Sequence, residues 1–206
     1  MPPAPAPAPP DDGAARHSVL ANARRAADLV NVLSRPDPRP SCLDEVAAVL
    51  RAYGESEPLG LAEADLPGLR EAAGALRPVF AADGVDAAAR VLNALLAERT
   101  GPLRLTAHGG ASPWHPHVDR DDEAPWAEWF LASSCLSLAV LLWDRGRAPG
   151  GVCASGTCQD VFVPLGSGQE RRYCSRRCAT RERVAAHRRA KGGAASAAGR
   201  RRSGPG

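Results

Sequence analysis

The stretches Cys153-Ala154-Ser155-Gly156-Thr157-Cys158 and Cys174-Ser175-Arg176-Arg177-Cys178 decide the fold of the C-terminal quarter of this 206-residue chain. Each stretch holds two cysteines close together, and 15 residues separate the two pairs. Two close pairs joined by a short span can surround one tetrahedral metal ion. We find no secretory signal, so we expect a reducing, cytoplasmic setting in which metal ligation is favoured over disulfides.

The residues between the pairs predict a knuckle, a hairpin and a helix, in the manner of a treble-clef zinc site. Gly156 permits the tight turn of the first knuckle. Val161-Phe162-Val163 predicts a short strand, Gly166-Ser167-Gly168 a turn, and Ser175 the cap of a helix over about 176–191. Cys174 and Cys178, four residues apart, can then face one metal from the first helical turn.

All four ligands, Cys153, Cys158, Cys174 and Cys178, are thiols. A closed set of thiolates leaves no position for an activated water, which indicates a structural role. We therefore expect one structural zinc ion, whose binding is coupled to folding of a segment with few large apolar residues.

Charge is divided unevenly along the chain. Residues 1–170 carry 14 basic and 22 acidic side chains, a net charge of −8, whereas residues 171–206 carry 12 basic and one acidic, a net charge of +11. This asymmetry favours contact with nucleic acid, although a disordered, solubilising tail has the same composition. The candidate phosphate contacts are Arg171, Arg172, Arg176, Arg177, Arg181, Arg188 and Arg189.

The rest of the chain predicts a mainly α-helical domain with one small β-hairpin over residues 16–146. A disordered Pro/Ala lead (1–15) precedes it, and the zinc finger (147–191) and a disordered basic tail (192–206) follow. Apolar periodicity predicts helices at about 18–34, 41–53, 65–82, 86–99 and 124–144. The longest apolar run, from Trp129 to Trp143, is too short to span a bilayer and predicts a buried core helix, so we expect no membrane contact.

Three histidines fall around the predicted hairpin. Residues 103–108 and 114–118 predict two strands on either side of a Gly109-Gly110 turn, and His115 and His117, two apart, would share one face. With His108 and Asp119 they can bind a metal or a small anionic ligand, with Trp114 as a pocket wall. The alternative is a polar hairpin with ordinary histidines. Cys42 and Cys135 lie alone in predicted helices, which indicates buried, inert thiols.

Taken together, these motifs resemble a bacterial family in which an N-terminal ABATE domain precedes a CGNR zinc finger. The resemblance rests on the four cysteines, on Arg171-Arg172-Tyr173-Cys174-Ser175, and on helical-domain stretches such as Asp28-Leu29-Val30-Asn31-Val32-Leu33 and Trp114-His115-Pro116-His117-Val118. It implies a structural zinc site and a stress-induced transcription regulator. The signature itself departs from the family, since Cys178-Ala179-Thr180-Arg181 keeps only its first and last residues.

No phosphate-binding glycine loop, nucleophile elbow or zincin motif is present, so we do not expect an enzyme. The leading hypothesis is a DNA-binding regulator whose helical domain senses a small-molecule effector or pairs with a protein partner. Two alternatives stay open: a zinc-stabilised module that binds protein or RNA, and a small-molecule-binding N-terminal domain with a purely structural zinc site.

Overall fold

A computed structural model of the chain describes residues 18–35, 42–164 and 171–200. The predictions for the Pro/Ala lead, for the Ser41 cap and for the turn at 166–168 lie outside these residues. The described part is mainly helical, with two small antiparallel hairpins, as predicted. Its elements are α1 (Val19–Leu33), α2 (Cys42–Ala52), α3 (Leu66–Phe80), α4 (Val85–Arg99), β1 (Arg104–Thr106), β2 (His115–His117), α5 (Trp126–Arg145), β3 (Gly151–Val152), β4 (Val161–Phe162) and α6 (Arg176–Arg200).

Helix α5 is the centre of the helical domain, packed against α1, α3 and α4. Its 20 residues are long and apolar enough to cross a membrane by length and composition alone. The structure instead buries Phe130 and Leu138 completely in the core, together with Leu29 and Leu76 from neighbouring helices. The long apolar helix α5 is therefore a core helix, as predicted.

The first hairpin lies beside this core and carries the histidines. Strand β1 pairs antiparallel with β2, placing Arg104 opposite His117 and Thr106 opposite His115. A short 3-10 turn, His108–Gly110, connects them. His108 has a φ of 46°, a left-handed conformation that costs a non-glycine residue roughly 1–2 kcal/mol.

The second hairpin, β3–β4, shares the core of the helical domain. Val161 and Val163 are 1 % and 4 % exposed and belong to the same apolar cluster as Leu29 and Phe80. The Asn31 side chain of α1 donates to the Val161 carbonyl (2.9 Å) and accepts from the Val161 N–H (2.7 Å), as a neighbouring strand would. The cysteine-bearing segment is thus fastened to the helices by apolar and polar contacts.

The segment over 146–151 is part of this junction. A Cβ at Gly150 would come within 2.5 Å of the Phe80 ring and 2.6 Å of the Phe162 carbonyl oxygen. Arg77 and Arg145 also donate to the carbonyls of Gln159 (2.7 Å) and Pro164 (2.8 Å). Gly150 therefore allows this segment to pack closely against Phe80 and Phe162.

Helix α6 is longer than predicted, because it continues past residue 191 to Arg200. The sequence predicts disorder from Gly192 onward. This extension contains three glycines but also four alanines (Ala194, Ala195, Ala197 and Ala198), and alanine has the highest helix propensity. The predicted tail from 201 to 206 lies outside the described residues.

Candidate metal centre

The four paired cysteines converge. The Sγ atoms of Cys153, Cys158, Cys174 and Cys178 all lie within 4.8 Å of one another. Cys153 and Cys178 are buried, whereas Cys158 and Cys174 are partly exposed, so the cluster lies at the edge of the module. All four are free thiols.

The sulfur separations suit zinc. Cys158 Sγ lies 3.6 Å from Cys174 Sγ, which in turn lies 3.7 Å from Cys178 Sγ. Four sulfurs at about 2.3 Å from a tetrahedral zinc ion are about 3.8 Å apart, whereas a disulfide brings them to about 2.05 Å. These four residues can therefore hold a zinc ion, which would fasten the first knuckle to the start of α6.

Without a cation, the cluster resists full ionisation. Desolvation by burial raises the pKa of Cys158 to about 11 and also raises the pKa of Cys174. A hydrogen bond from Ser175 lowers the pKa of Cys178. A divalent ion stabilises the thiolate form of every ligand, so metal binding at this cluster should release protons.

Local hydrogen bonds shape the two knuckles. Cys158 N–H donates to the Ser155 carbonyl (2.9 Å) and Cys153 N–H to the Asp160 carbonyl (2.8 Å), closing the first knuckle. The Ser175 hydroxyl accepts from the Cys178 N–H (3.2 Å), which confirms the predicted cap of α6. The turn and the cap thus bring both cysteine pairs to one point.

The fold and this site define a small zinc-binding module fastened to a helical domain. Residues 151–191 match the family model of the CGNR zinc finger, so this segment is a zinc finger of that family. The match covers the zinc module alone and agrees with the resemblance seen in the sequence. No curated protein matches the chain closely enough to be counted as a relative.

Two of the arginines predicted to contact nucleic acid have structural partners. Arg171 donates to the carbonyls of Tyr173 (2.7 Å) and Cys174, and its guanidinium lies 5.4 Å from the centre of the Phe162 ring. Arg181, the last residue of the family signature, donates to the Thr157 hydroxyl between the first two cysteines. Both therefore brace the metal module.

Most of the described basic side chains of α6, Arg181 among them, share its outer face. At about 100° per residue, six of them fall within about 160° of the helix circumference, opposite Cys178 and Glu182. These are Arg176, Arg177, Arg181, Arg183, Arg188 and Lys191, all exposed. We call them the basic face. Glu182, the one acid of residues 171–206, instead accepts a hydrogen bond from Ser155 (2.9 Å).

Arg172 and Arg189 lie off this face. Arg172 is exposed on the knuckle beside the Tyr173 ring, 5.9 Å from its centre. Arg189 is exposed on the opposite side of α6, by the same angular count. Both are accessible, so neither is excluded from contact with a polyanion.

The histidines lie together at the wall of a cavity of about 600 Å³. His115 and His117 share a face of β2, as predicted, and the turn brings His108 beside them. Trp114, which precedes β2, does not line this cavity and is 75 % exposed, so the predicted pocket wall is wrong at this residue. Trp129 of α5 supplies the aromatic wall instead.

The cavity also contains groups that the sequence did not single out. Arg25 is 4 % exposed, donates to Glu55 (2.5 Å) and Ser133 (3.1 Å), and lies 4.3 Å from the centre of the Trp129 ring. Desolvation by burial lowers the pKa of Arg25, although Glu55 opposes this shift. An arginine within a run of helical residues gives no sequence signal of such a position.

The solitary cysteines are buried, as predicted. Cys135 is fully buried in α5 and Cys42 is 8 % exposed at the start of α2. Burial raises the pKa of Cys135 to about 12, so its thiol stays protonated and unreactive at neutral pH.

Proposed function

We propose that the zinc module binds duplex DNA through the basic face of α6, and that the chain is a cytoplasmic transcription regulator without enzymatic activity. The observation that carries this proposal is the separation of charge around α6, whose outer face has six basic side chains and no acid among its described residues. Such a face can neutralise several phosphates at once.

The zinc site supports this role by holding α6 in place. Cys174 and Cys178 lie at its start, and Arg181 and Glu182 connect it to Thr157 and Ser155 of the first knuckle. A helix fixed at one end presents its arginines without paying the full cost of ordering them on binding. An α-helix is about 10–12 Å wide with side chains, and the major groove is about 12 Å wide, so α6 can enter it.

The acidic body of the chain favours a defined orientation on DNA. Residues 1–170 carry a net charge of −8, so DNA should repel the helical domain and attract α6. The helical domain would then act as the sensing or interaction part. The hydrogen bonds between Asn31 and Val161 join the helical domain to the zinc module, so a movement of α1 would be transmitted directly to the module.

Binding of the full chain to a DNA duplex across a salt series tests the proposal. Affinity should fall steeply with salt, with a slope set by the number of phosphates neutralised. Replacing Arg177, Arg183 and Arg188 by Gln should reduce that slope by about 2.7, since each phosphate contact contributes about 0.9. Arg181 is left intact because it contacts the knuckle.

The matched control replaces three exposed arginines of the helical domain, Arg24, Arg51 and Arg90, by Gln. It removes the same charge, and its salt slope should equal that of the parent chain. Equal slopes for both triple variants, or no binding at low salt, would overturn the proposal. Tighter binding of structured RNA than of duplex DNA would instead favour an RNA-binding module.

A further inference from the structure

The three histidines of the first hairpin direct their Nε2 atoms to one point. His115 Nε2 lies 3.0 Å from His117 Nε2 and 3.3 Å from His108 Nε2. Nitrogens at about 2.0–2.1 Å from a tetrahedral zinc ion are about 3.3 Å apart. We propose that His108, His115 and His117 form a second metal site, which takes one divalent transition-metal ion of the zinc class.

The opposite nitrogen of each ring faces an acceptor. His117 Nδ1 lies 2.9 Å from both carboxylate oxygens of Asp119, and His115 Nδ1 lies 2.8 Å from the Pro113 carbonyl oxygen. His108 Nδ1 lies 3.4 Å from Asp122. Protein ligands to zinc show this arrangement, in which the second ring nitrogen donates to a carboxylate or a carbonyl.

These acceptors fix the tautomer of each neutral ring. A ring that donates from Nδ1–H carries a lone pair at Nε2, so the three nitrogens that face one another are acceptors. Two acceptors at 3.0 Å cannot hydrogen-bond to each other, whereas a shared cation is attracted to all of them. A polar hairpin without a ligand has no reason to direct three such nitrogens to one point.

The carboxylates are themselves held in place. Arg104 of β1 donates to Asp119 (2.6 Å) and to Asp122 (2.6 Å), and Thr106 donates to Asp122 (2.8 Å). Asp119 is 2 % exposed, and both the His117 ring and the Arg104 guanidinium face its carboxylate. A carboxylate behind an imidazole fixes the orientation of that imidazole and strengthens it as a metal ligand.

The site differs from the cysteine cluster in being open. Three imidazoles leave one position of a tetrahedral ion for water or a small ligand. All three rings line the cavity of about 600 Å³, where Arg25 and Ser133 also lie, so the fourth position faces this cavity. Imidazole donors suit zinc, copper, iron and nickel better than calcium or magnesium.

Metal content of the reduced full chain tests the site. Saturated with zinc and freed of excess, the chain should hold two zinc ions, and the double variant His115→Ala/His117→Ala should hold one. The zinc retained by the cysteines reports that the variant still folds. The control, His187→Ala, removes an exposed histidine of α6 and should hold two.

A milder variant separates a ligand site from chance binding by nearby histidines. Asp119→Asn keeps all three rings and should weaken the second zinc 10- to 100-fold in competition with a chromophoric chelator. The reading is overturned if the parent chain binds one zinc, if the double variant still binds two, or if Asp119→Asn leaves the affinity unchanged. No step of this test involves DNA.

Discussion

The cysteine cluster, between the second hairpin and α6, and the histidine cluster, on the first hairpin, differ in almost every physical respect. The first has four soft thiolate ligands, two of them buried, and no position left for a further ligand. The second has three imidazoles at the wall of a cavity, backed by ionised carboxylates. The comparison shows that the number and type of metal ligands distinguish a structural site from a site that can bind a further ligand.

The hairpins also differ in how they are held to the helical domain. Val161 of β4 and Val163, which follows the strand, belong to the common core, so the cysteine module and the helices stabilise one another. The histidine hairpin is joined to α5 by the ion pair of Arg120 with Glu128, and none of its residues belongs to the buried apolar cluster of the described residues. Three changes, taken from the largest expected effect to the smallest, test this contrast.

The largest effect should come from Cys174→Ser. Its Sγ lies close to two other ligand sulfurs, and structural zinc in finger peptides contributes about 10–16 kcal/mol of apparent folding free energy. We expect loss of the cysteine-bound zinc and unfolding of residues 151–191, seen by metal analysis and by NMR. Cys42→Ala should leave zinc content unchanged, and a Cys174→Ser chain with full zinc would contradict the assignment.

An intermediate effect is expected from Asn31→Ala. The change leaves the N–H and the carbonyl of buried Val161 without their partner, which should lower the free energy of unfolding by about 2 kcal/mol. Urea unfolding of the zinc-loaded chain measures it. Asn93→Ala, at an exposed position of α4, is the control and should change stability by less than about 0.5 kcal/mol. Equal free energies of unfolding for the two variants would show that the Asn31 hydrogen bonds do not stabilise the contact between the zinc module and the helical domain.

The smallest effect should come from Glu128→Gln, which touches neither cluster. Hydrogen bonds from Arg120 lower the pKa of Glu128, so this carboxylate stabilises the fold at pH above the ordinary carboxyl value of about 4. That contribution is lost as pH falls through the lowered pKa. Because Arg120 is largely exposed and solvent screens the pair, we expect a loss of only about 0.5 kcal/mol at pH 7 that disappears in acid, measured by urea unfolding at several pH values.

Glu98→Gln, at an exposed position of α4, is the matched control for this pH series and should follow the parent chain. A difference between Glu128→Gln and the parent chain that grows in acid has the wrong sign. Such a result would show that the ion pair between Arg120 and Glu128 does not help to hold the hairpin against α5.

The sequence was sufficient for the helices and for the cysteine ligands. Helices predicted at 18–34 and 86–99 are observed at Val19–Leu33 and Val85–Arg99, because apolar spacing reports local periodicity. The four cysteine ligands could also be predicted from the sequence, because the two cysteines of each pair are close together along the chain. Their proximity depends on one local turn of the backbone and not on the tertiary fold.

Tertiary contacts account for what the sequence could not predict. Asn31 is one of several polar residues of α1, and only its place beside Val161 gives it a role. Arg171 and Arg181 belong to a basic run, yet each has a specific acceptor in the module. Asp122 follows the hairpin in a loop, and its position behind His108 depends on a turn with a left-handed residue.

X-ray absorption at the zinc edge, on the full chain saturated with zinc, would show both centres at once. Two different sites predict a sulfur shell at about 2.3 Å and a nitrogen shell at about 2.0–2.1 Å. The nitrogen shell should vanish in His115→Ala/His117→Ala while the sulfur shell is unchanged. A spectrum of sulfur ligands alone in the parent chain would contradict the second site, and a spectrum without sulfur would contradict the first.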